Sequence, residues 1–99
     1  MLSTSFAEFF CEVSDPRMQR KQQHPLINIL FISICSVICG ATSFVDIQDF
    51  GKAKKKWLSL YLDLTNGIPS HDTFNRVFSI LNPEEFSKRF MEWTHAISE

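Results

Sequence analysis

The sequence predicts an all-α fold, a compact bundle of about five helices around a buried central helix over residues 25–39. Apolar residues recur at spacings of three and four along most of the chain, which is the period of an amphipathic helix. No segment shows the clear alternation of a strand, and proline and Asn-Gly signals divide the helical stretches. With 99 residues, 44% of them hydrophobic, residues 1–99 are expected to form a single helical domain.

The first predicted helix has four apolar residues on one face, at positions i, i+3, i+4 and i+7: Phe6, Phe9, Phe10 and Val13. It is expected to end before Pro16, because a residue that precedes proline avoids the helical region. Residues 16–24 are polar and are expected to form a loop.

The central helix is predicted to begin at Pro25 and to end before Gly40, a common residue at helix ends. Residues 26–45 carry no charge, so a membrane-spanning helix is an alternative for this stretch. A span needs about 20 mostly apolar residues, whereas this helix has about 15 and includes Asn28 and Ser33. We therefore expect a core helix and no membrane partner, with a small single-pass membrane protein as the weaker alternative.

The third helical region is predicted to start at Ser43, because Asp46 three residues later completes a capping pattern. Its apolar side is interrupted by Gly51 and a lysine run and resumes at Trp57. The pattern does not distinguish one kinked helix over residues 43–62 from two short helices. An interior glycine costs about 1 kcal/mol relative to alanine, which is consistent with a kink at Gly51.

The last two helices have local start signals. Ser70 follows a turn over residues 63–69 and can cap the fourth helix. Asn82 can cap the fifth helix, with Pro83 at the first position and Glu85 at the capping-box position. The apolar faces of these helices consist of Phe74, Val77, Phe78 and Leu81, and of Phe86, Phe90, Trp93 and Ile97.

The densest local charge is a group of four lysines within five residues, although the whole chain has a formal net charge of −1. These residues are Lys52, Lys54, Lys55 and Lys56. Lysines contact nucleic-acid phosphates without reading sequence. Two interpretations therefore stay open, a phosphate-binding surface and an ordinary solvated helix face.

The exposed side of the fourth helix is predicted to show His71, Asn75, Arg76 and Ser79. Arginine and asparagine are suited to base edges in the major groove, so Asn75 and Arg76 are candidate DNA-binding residues. A helix-turn-helix-like element over residues 43–81 would present this side. Its connection at residues 63–69 is, however, longer than the usual turn of three or four residues.

The sequence indicates no catalytic residue, no metal site and no cofactor. His71 and Asp72 are adjacent, but successive helical residues point about 100° apart and do not form a catalytic pair. The three cysteines, Cys11, Cys35 and Cys39, include no CxxC pair. We therefore expect buried structural cysteines in a reducing compartment, the cytoplasm.

Three segments together resemble one protein family. They are Asp15-Pro16-Arg17 with His24-Pro25-Leu26, Cys39-Gly40-Ala41 with Asp46-Ile47-Gln48-Asp49-Phe50-Gly51, and Asn66-Gly67-Ile68-Pro69-Ser70-His71-Asp72-Thr73-Phe74 with Arg76-Val77-Phe78. Their order and spacing resemble the N-terminal region of the H-repeat-associated, insertion-sequence transposases of bacteria. The resemblance covers about residues 12–97.

The resemblance implies a helical accessory domain that is taken to bind DNA at transposon ends. In full-length members, a ribonuclease-H-like catalytic domain of the DDE type follows and holds divalent metal through acidic residues. The family's first catalytic aspartate would lie beyond Glu99, so the chain is expected to be truncated, without catalytic or metal-binding residues, and not an enzyme. The alternative is a protein-interaction domain that docks on the catalytic domain or forms a homo-oligomer. No small-molecule substrate is expected.

Overall fold

The computed structural model describes Phe10, Val13 and residues 24–97, and this part of the chain contains five helices and no strand. The helices are α1 (Leu26–Ile38), α2 (Phe44–Ala53), α3 (Lys55–Leu58), α4 (His71–Ile80) and α5 (Pro83–Ile97). The predicted all-α fold is therefore confirmed. Apart from Phe10 and Val13, which are both buried, the predicted first helix lies outside the described residues.

Helix α1 is the centre of the core, as predicted. Eight of its 13 residues are buried, and it ends at Ile38, two residues before Gly40, whose φ of +105° favours glycine. The buried Asn28 donates a hydrogen bond from Nδ2 to the backbone carbonyl of Asp63 at 2.8 Å, which ties α1 to the loop before α4. Within the described residues, no helix combines the length and the apolar character that crossing a membrane requires.

The region after α1 is two helices rather than one kinked helix. Ser43 caps α2, because its Oγ accepts a hydrogen bond from the N–H of Asp46 at 3.1 Å, as the capping pattern predicts. The helix then continues through Gly51 to Ala53, and after a break at Lys54 the helix α3 begins at Lys55. Of the two alternatives that the sequence left open, the structure shows two helices, and the break lies three residues after Gly51.

Gly51 has a packing role instead. It is buried, and a Cβ added there would lie 2.7 Å from Cγ2 of Ile68 and 3.5 Å from Cγ2 of Ile32. The missing side chain thus lets the loop before α4 approach α2 closely.

The starts of α4 and α5 also follow their predicted caps. Oγ of Ser70 accepts a hydrogen bond from the N–H of Thr73 at 3.3 Å. Oδ1 of Asn82 accepts from the N–H groups of Glu84 and Glu85 at 3.0 and 3.1 Å. Both interactions satisfy backbone donors that the first helical turn leaves without partners.

The core joins α1 to side chains from every other described helix. Its buried members outside α1 are Phe10, Val13, Ile47, Leu58, Phe74, Val77, Leu81 and Trp93. The end of α1 departs from this pattern, since Val37 and Ile38 are 59% and 69% exposed. Cys39 is exposed as well and Cys35 is half-buried, so the expectation of buried cysteines is wrong for Cys39.

Candidate nucleic-acid interface

The four lysines form one exposed basic segment, which we call the lysine cluster: Lys52, Lys54, Lys55 and Lys56. Lys52 lies in the last turn of α2, and Lys54 is the residue at which the helix breaks before α3. All four side chains are exposed, and among the described residues none of them forms an ion pair. Their charges are therefore available to an outside anion.

One contact fixes the start of α4 against α2. Oε1 of Gln48 accepts a hydrogen bond from the backbone N–H of His71 at 2.6 Å and lies 2.8 Å from Nδ1 of the same residue. Residues four apart share a helix face. Lys52 is one turn beyond Gln48, and Asn75 is one turn beyond His71, so the contact joins the helix faces that carry these two candidate residues.

The outer side of α4 is polar, as predicted. Asn75 and Arg76 are exposed, whereas Phe74 before them and Val77 after them are buried. The hydroxyl of Ser79 donates to the carbonyl oxygen of Asn75 at 2.6 Å. Both candidate side chains are therefore accessible, and their contact with DNA stays a prediction.

The segment 43–81 resembles a helix-turn-helix only in part. Helices α2 and α4 pack on each other. However, α3 and the irregular residues 59–70 separate them, which is much longer than the usual turn of three or four residues.

The described residues contain no cluster of metal-ligating side chains. In the part of the chain that the structure describes, no three His, Cys, Asp or Glu residues lie together in a way that could hold a metal ion. Nε2 of His71 lies 3.4 Å from Oδ1 of Asp72, but both side chains are exposed. The two carboxylate-held ions of a DDE-type catalytic domain therefore have no matching cluster among the described residues.

Two surface features were missed by the sequence patterns. Trp57 falls in the apolar register of α3, yet it is 40% exposed, directly after the lysine cluster. An apolar groove of about 340 Å³ lies between α1, α2, α4 and α5. It is lined by Ser33, Ile34, Val37, Ile38, Phe44, Ile47, Phe78, Phe86 and Phe90. Periodicity assigns such residues to a core without showing where the core is open.

Fold and surface together define a small all-α domain with an exposed basic segment. The chain belongs to the DDE_Tnp_1-associated family, which matches residues 7–94. It is thus a transposase-associated domain.

Several curated relatives are named as transposases. The chain is 40% identical over 95 residues to "Putative transposase YncI" of Escherichia coli K12, covering 96% of this chain and 38% of that protein. It is 43% identical over 81 residues to "H repeat-associated putative transposase YhhI" of the same strain, covering 82% of this chain and 21% of that protein. "Inactive transposase YbfQ", also of that strain, is 48% identical over 65 residues, or 66% of this chain and 77% of that protein.

The first relatives are much longer than the matched region. The chain covers 29% of a protein from Xanthobacter autotrophicus named "Uncharacterized protein in dhlA 3'region" and 24% of the YncI protein of Escherichia coli O157:H7. No solved structure matches the chain.

Proposed function

We propose that the chain is an accessory DNA-binding domain of a bacterial insertion-sequence transposase of the DDE type, which helps to hold transposon ends and cuts no strand by itself. The exposed lysine cluster is the observation that carries this proposal. Four of the ten Lys and Arg residues of the chain lie within five positions, although the net charge is −1. The names of the relatives support a role in transposition.

The lysines and α4 have separate roles in this proposal. The lysine cluster contacts phosphates, which supplies affinity without sequence preference. Arg76 and Asn75, on the exposed side of α4, contact base edges, which supplies preference for a DNA sequence. The Gln48–His71 contact keeps the two surfaces in a fixed relation.

The test is fluorescence anisotropy with two labelled duplexes, the terminal repeat of the element and an unrelated sequence. If all four lysines contact phosphates, log K should fall with log salt with a slope of about −3 to −4. Lys55→Gln should reduce that slope by about one on both duplexes. Lys88→Gln, which removes an exposed lysine of α5 outside the cluster, is the matched control. An affinity that does not change between low and moderate salt would contradict the proposal.

The apolar groove favours a second function, docking on the rest of a transposase chain. Its rim includes Val37 and Ile38, which are large, aliphatic and mostly exposed. Exposed apolar surfaces of this kind are typical of protein contacts. Because the matched region is only 38% of YncI, that relative contains further polypeptide that could cover the groove.

This second function can be tested by co-expression with the part of YncI outside the matched region. The two polypeptides should copurify, and Ile38→Asp should prevent it. Leu60→Asp is the control, because Leu60 is 75% exposed, close to the 69% of Ile38, and does not line the groove. Failure to copurify, or self-association of the chain instead, would contradict docking on a transposase chain.

A further inference from the structure

We propose that Trp57 and the lysine cluster together bind unpaired DNA, with the indole ring stacked on a base and the lysines on the neighbouring phosphates. The inference rests on the proposed DNA-binding function and narrows its ligand from DNA in general to single-stranded DNA or an unpaired end. Stacking of bases on aromatic side chains beside a basic surface is the general mode of single-strand binding.

The indole ring is held in place from its inner side. Its centroid lies 6.4 Å from that of Phe31 at an interplanar angle of 23°, and 5.2 Å from that of Tyr61 at 61°. Phe31 belongs to the core and is only 1% exposed. The ring is therefore fixed by aromatic neighbours while 40% of the residue's surface stays open. A rigid, open ring can stack on a base at little entropic cost.

The charge around the ring suits a nucleic-acid backbone. Lys54, Lys55 and Lys56 directly precede Trp57, and all three are exposed. Residues 49–60 carry a single acidic side chain, Asp49, beside the four lysines of the cluster. Phosphates next to a stacked base would thus meet positive charge.

Duplex DNA cannot use the ring in the same way. The faces of its bases are covered by neighbouring base pairs, so stacking on a side chain requires a base that has left the stack. The lysines bind phosphates of either form. Trp57 is therefore the feature that would distinguish single strands from duplexes.

The other tryptophan of the chain provides an internal reference. Trp93 is 3% exposed and packs against Phe10 and Phe90, with centroid distances of 6.2 Å in both cases. The chain has only these two tryptophans, so Trp93→Phe leaves Trp57 as the single indole reporter.

The experiment titrates the Trp93→Phe protein with a 12-nucleotide oligo-dT and with a duplex of the same length, while the emission of Trp57 is recorded. Circular dichroism and thermal melts first establish that each variant is folded. We expect oligo-dT to quench the emission strongly and the duplex to quench it weakly.

In the otherwise native chain, Trp57→Ala should weaken oligo-dT binding by roughly 5- to 150-fold, with less than about a twofold effect on the duplex. Trp57→Phe should retain part of the affinity, and Leu60→Ala is the exposed apolar control.

The outcomes separate this inference from the proposed function. The chain could bind both DNA forms in a salt-dependent way while Trp57 emission is not quenched and Trp57→Ala has no effect. This result would overturn stacking and leave the phosphate-binding role intact. No binding of either form at low salt would overturn both. Because tryptophan and lysine also occur at membrane surfaces, vesicles of phosphatidylserine and phosphatidylcholine are titrated in parallel. A blue shift of Trp57 emission on vesicles without quenching by oligo-dT would likewise overturn the inference.

Discussion

Gln48 and His71, 23 residues apart in the sequence, are joined by two contacts to a single oxygen, Oε1 of Gln48. The backbone N–H of His71 donates to this oxygen at 2.6 Å, and Nδ1 donates at 2.8 Å in the tautomer that carries its proton there. The contact satisfies one of the free donors at the start of α4 with a side chain from α2. It therefore couples the position of α4 to the helix that carries Lys52.

Gln48→Ala should lower both stability and DNA affinity. The free energy of unfolding is expected to fall by about 0.5–1.5 kcal/mol, because water replaces the lost hydrogen bonds only in part. Urea unfolding measures this change. Asp49→Ala, an exposed neighbour on the same helix, is the control. Equal effects of the two substitutions would show that the contact does not hold α4.

Gly51→Ala should destabilise the protein although alanine favours helix. The gain in helix propensity is about 1 kcal/mol, but the new Cβ would lie 2.7 Å from Cγ2 of Ile68. Overpacking of this kind costs about 1–3 kcal/mol, so the net loss is expected to be about 1 kcal/mol in urea unfolding.

A double-mutant cycle identifies the cause of that loss. Ile68→Ala removes the Cγ2 atom that the added methyl group would meet. The loss of stability in Gly51→Ala/Ile68→Ala should therefore be smaller than the sum of the two single losses. If the two single losses of stability simply add, the cost of Gly51→Ala does not come from contact with Ile68.

Local signals predicted the helix starts, and contacts distant in sequence explain what was missed. Ser43, Ser70 and Asn82 each bond to an N–H two or three residues away, so their role is visible in a short window. The packing role of Gly51 could not be predicted in this way, because the side chain that Gly51 accommodates belongs to Ile68, 17 positions later. A local pattern shows that glycine weakens a helix. Only the packed structure shows which neighbouring side chain fills the space that a larger residue would occupy.

The candidate interface was predictable in composition but not in arrangement. The run Lys54–Lys56 and the polar side of α4 are visible in the sequence. Two further features depend on how α3 lies over Phe31. They are the break of the helix at Lys54 and the 40% exposure of Trp57. Periodicity gives the side of a helix that is apolar, but it does not give the fraction of that side which the neighbours cover.

Cys39 should be alkylated well before Cys35. Burial, with a smaller contribution from Cys39, raises the pKa of the Cys35 thiol to about 11. At pH 8 only about one-thousandth of such a thiol is the reactive thiolate. Cys39 is exposed at the end of α1. Brief iodoacetamide treatment followed by peptide mass spectrometry should find the label on Cys39, and Cys39→Ser should leave the peptide of Cys35 unlabelled under the same conditions. Equal labelling of the two would contradict the structure.

The Asp46 carboxylate should stabilise the fold in a pH-dependent way. Oδ2 of Asp46 accepts hydrogen bonds from the backbone N–H and the hydroxyl of Thr42, both at 3.0 Å, and these bonds lower the pKa of Asp46 below its usual value of 3.8. A pKa that is lower in the folded state than in the unfolded state means that the stabilisation is present above the unfolded pKa. It is lost as the pH falls below about 4 and through the folded pKa.

Thr42→Val tests this coupling because it removes the hydroxyl donor and keeps the backbone donor. The pKa of Asp46, followed by the carboxyl carbon shift in NMR titration, should rise part of the way towards its usual value, and acid unfolding should become less steep below pH 4. Thr65→Val is the matched control: hydrogen bonds from the hydroxyl and the backbone N–H of Thr65 lower the pKa of Asp63, so this variant should move the titration of Asp63 alone. If Asp46 titrates at the same pH with and without the Thr42 hydroxyl, that hydroxyl does not contribute to the lowered pKa.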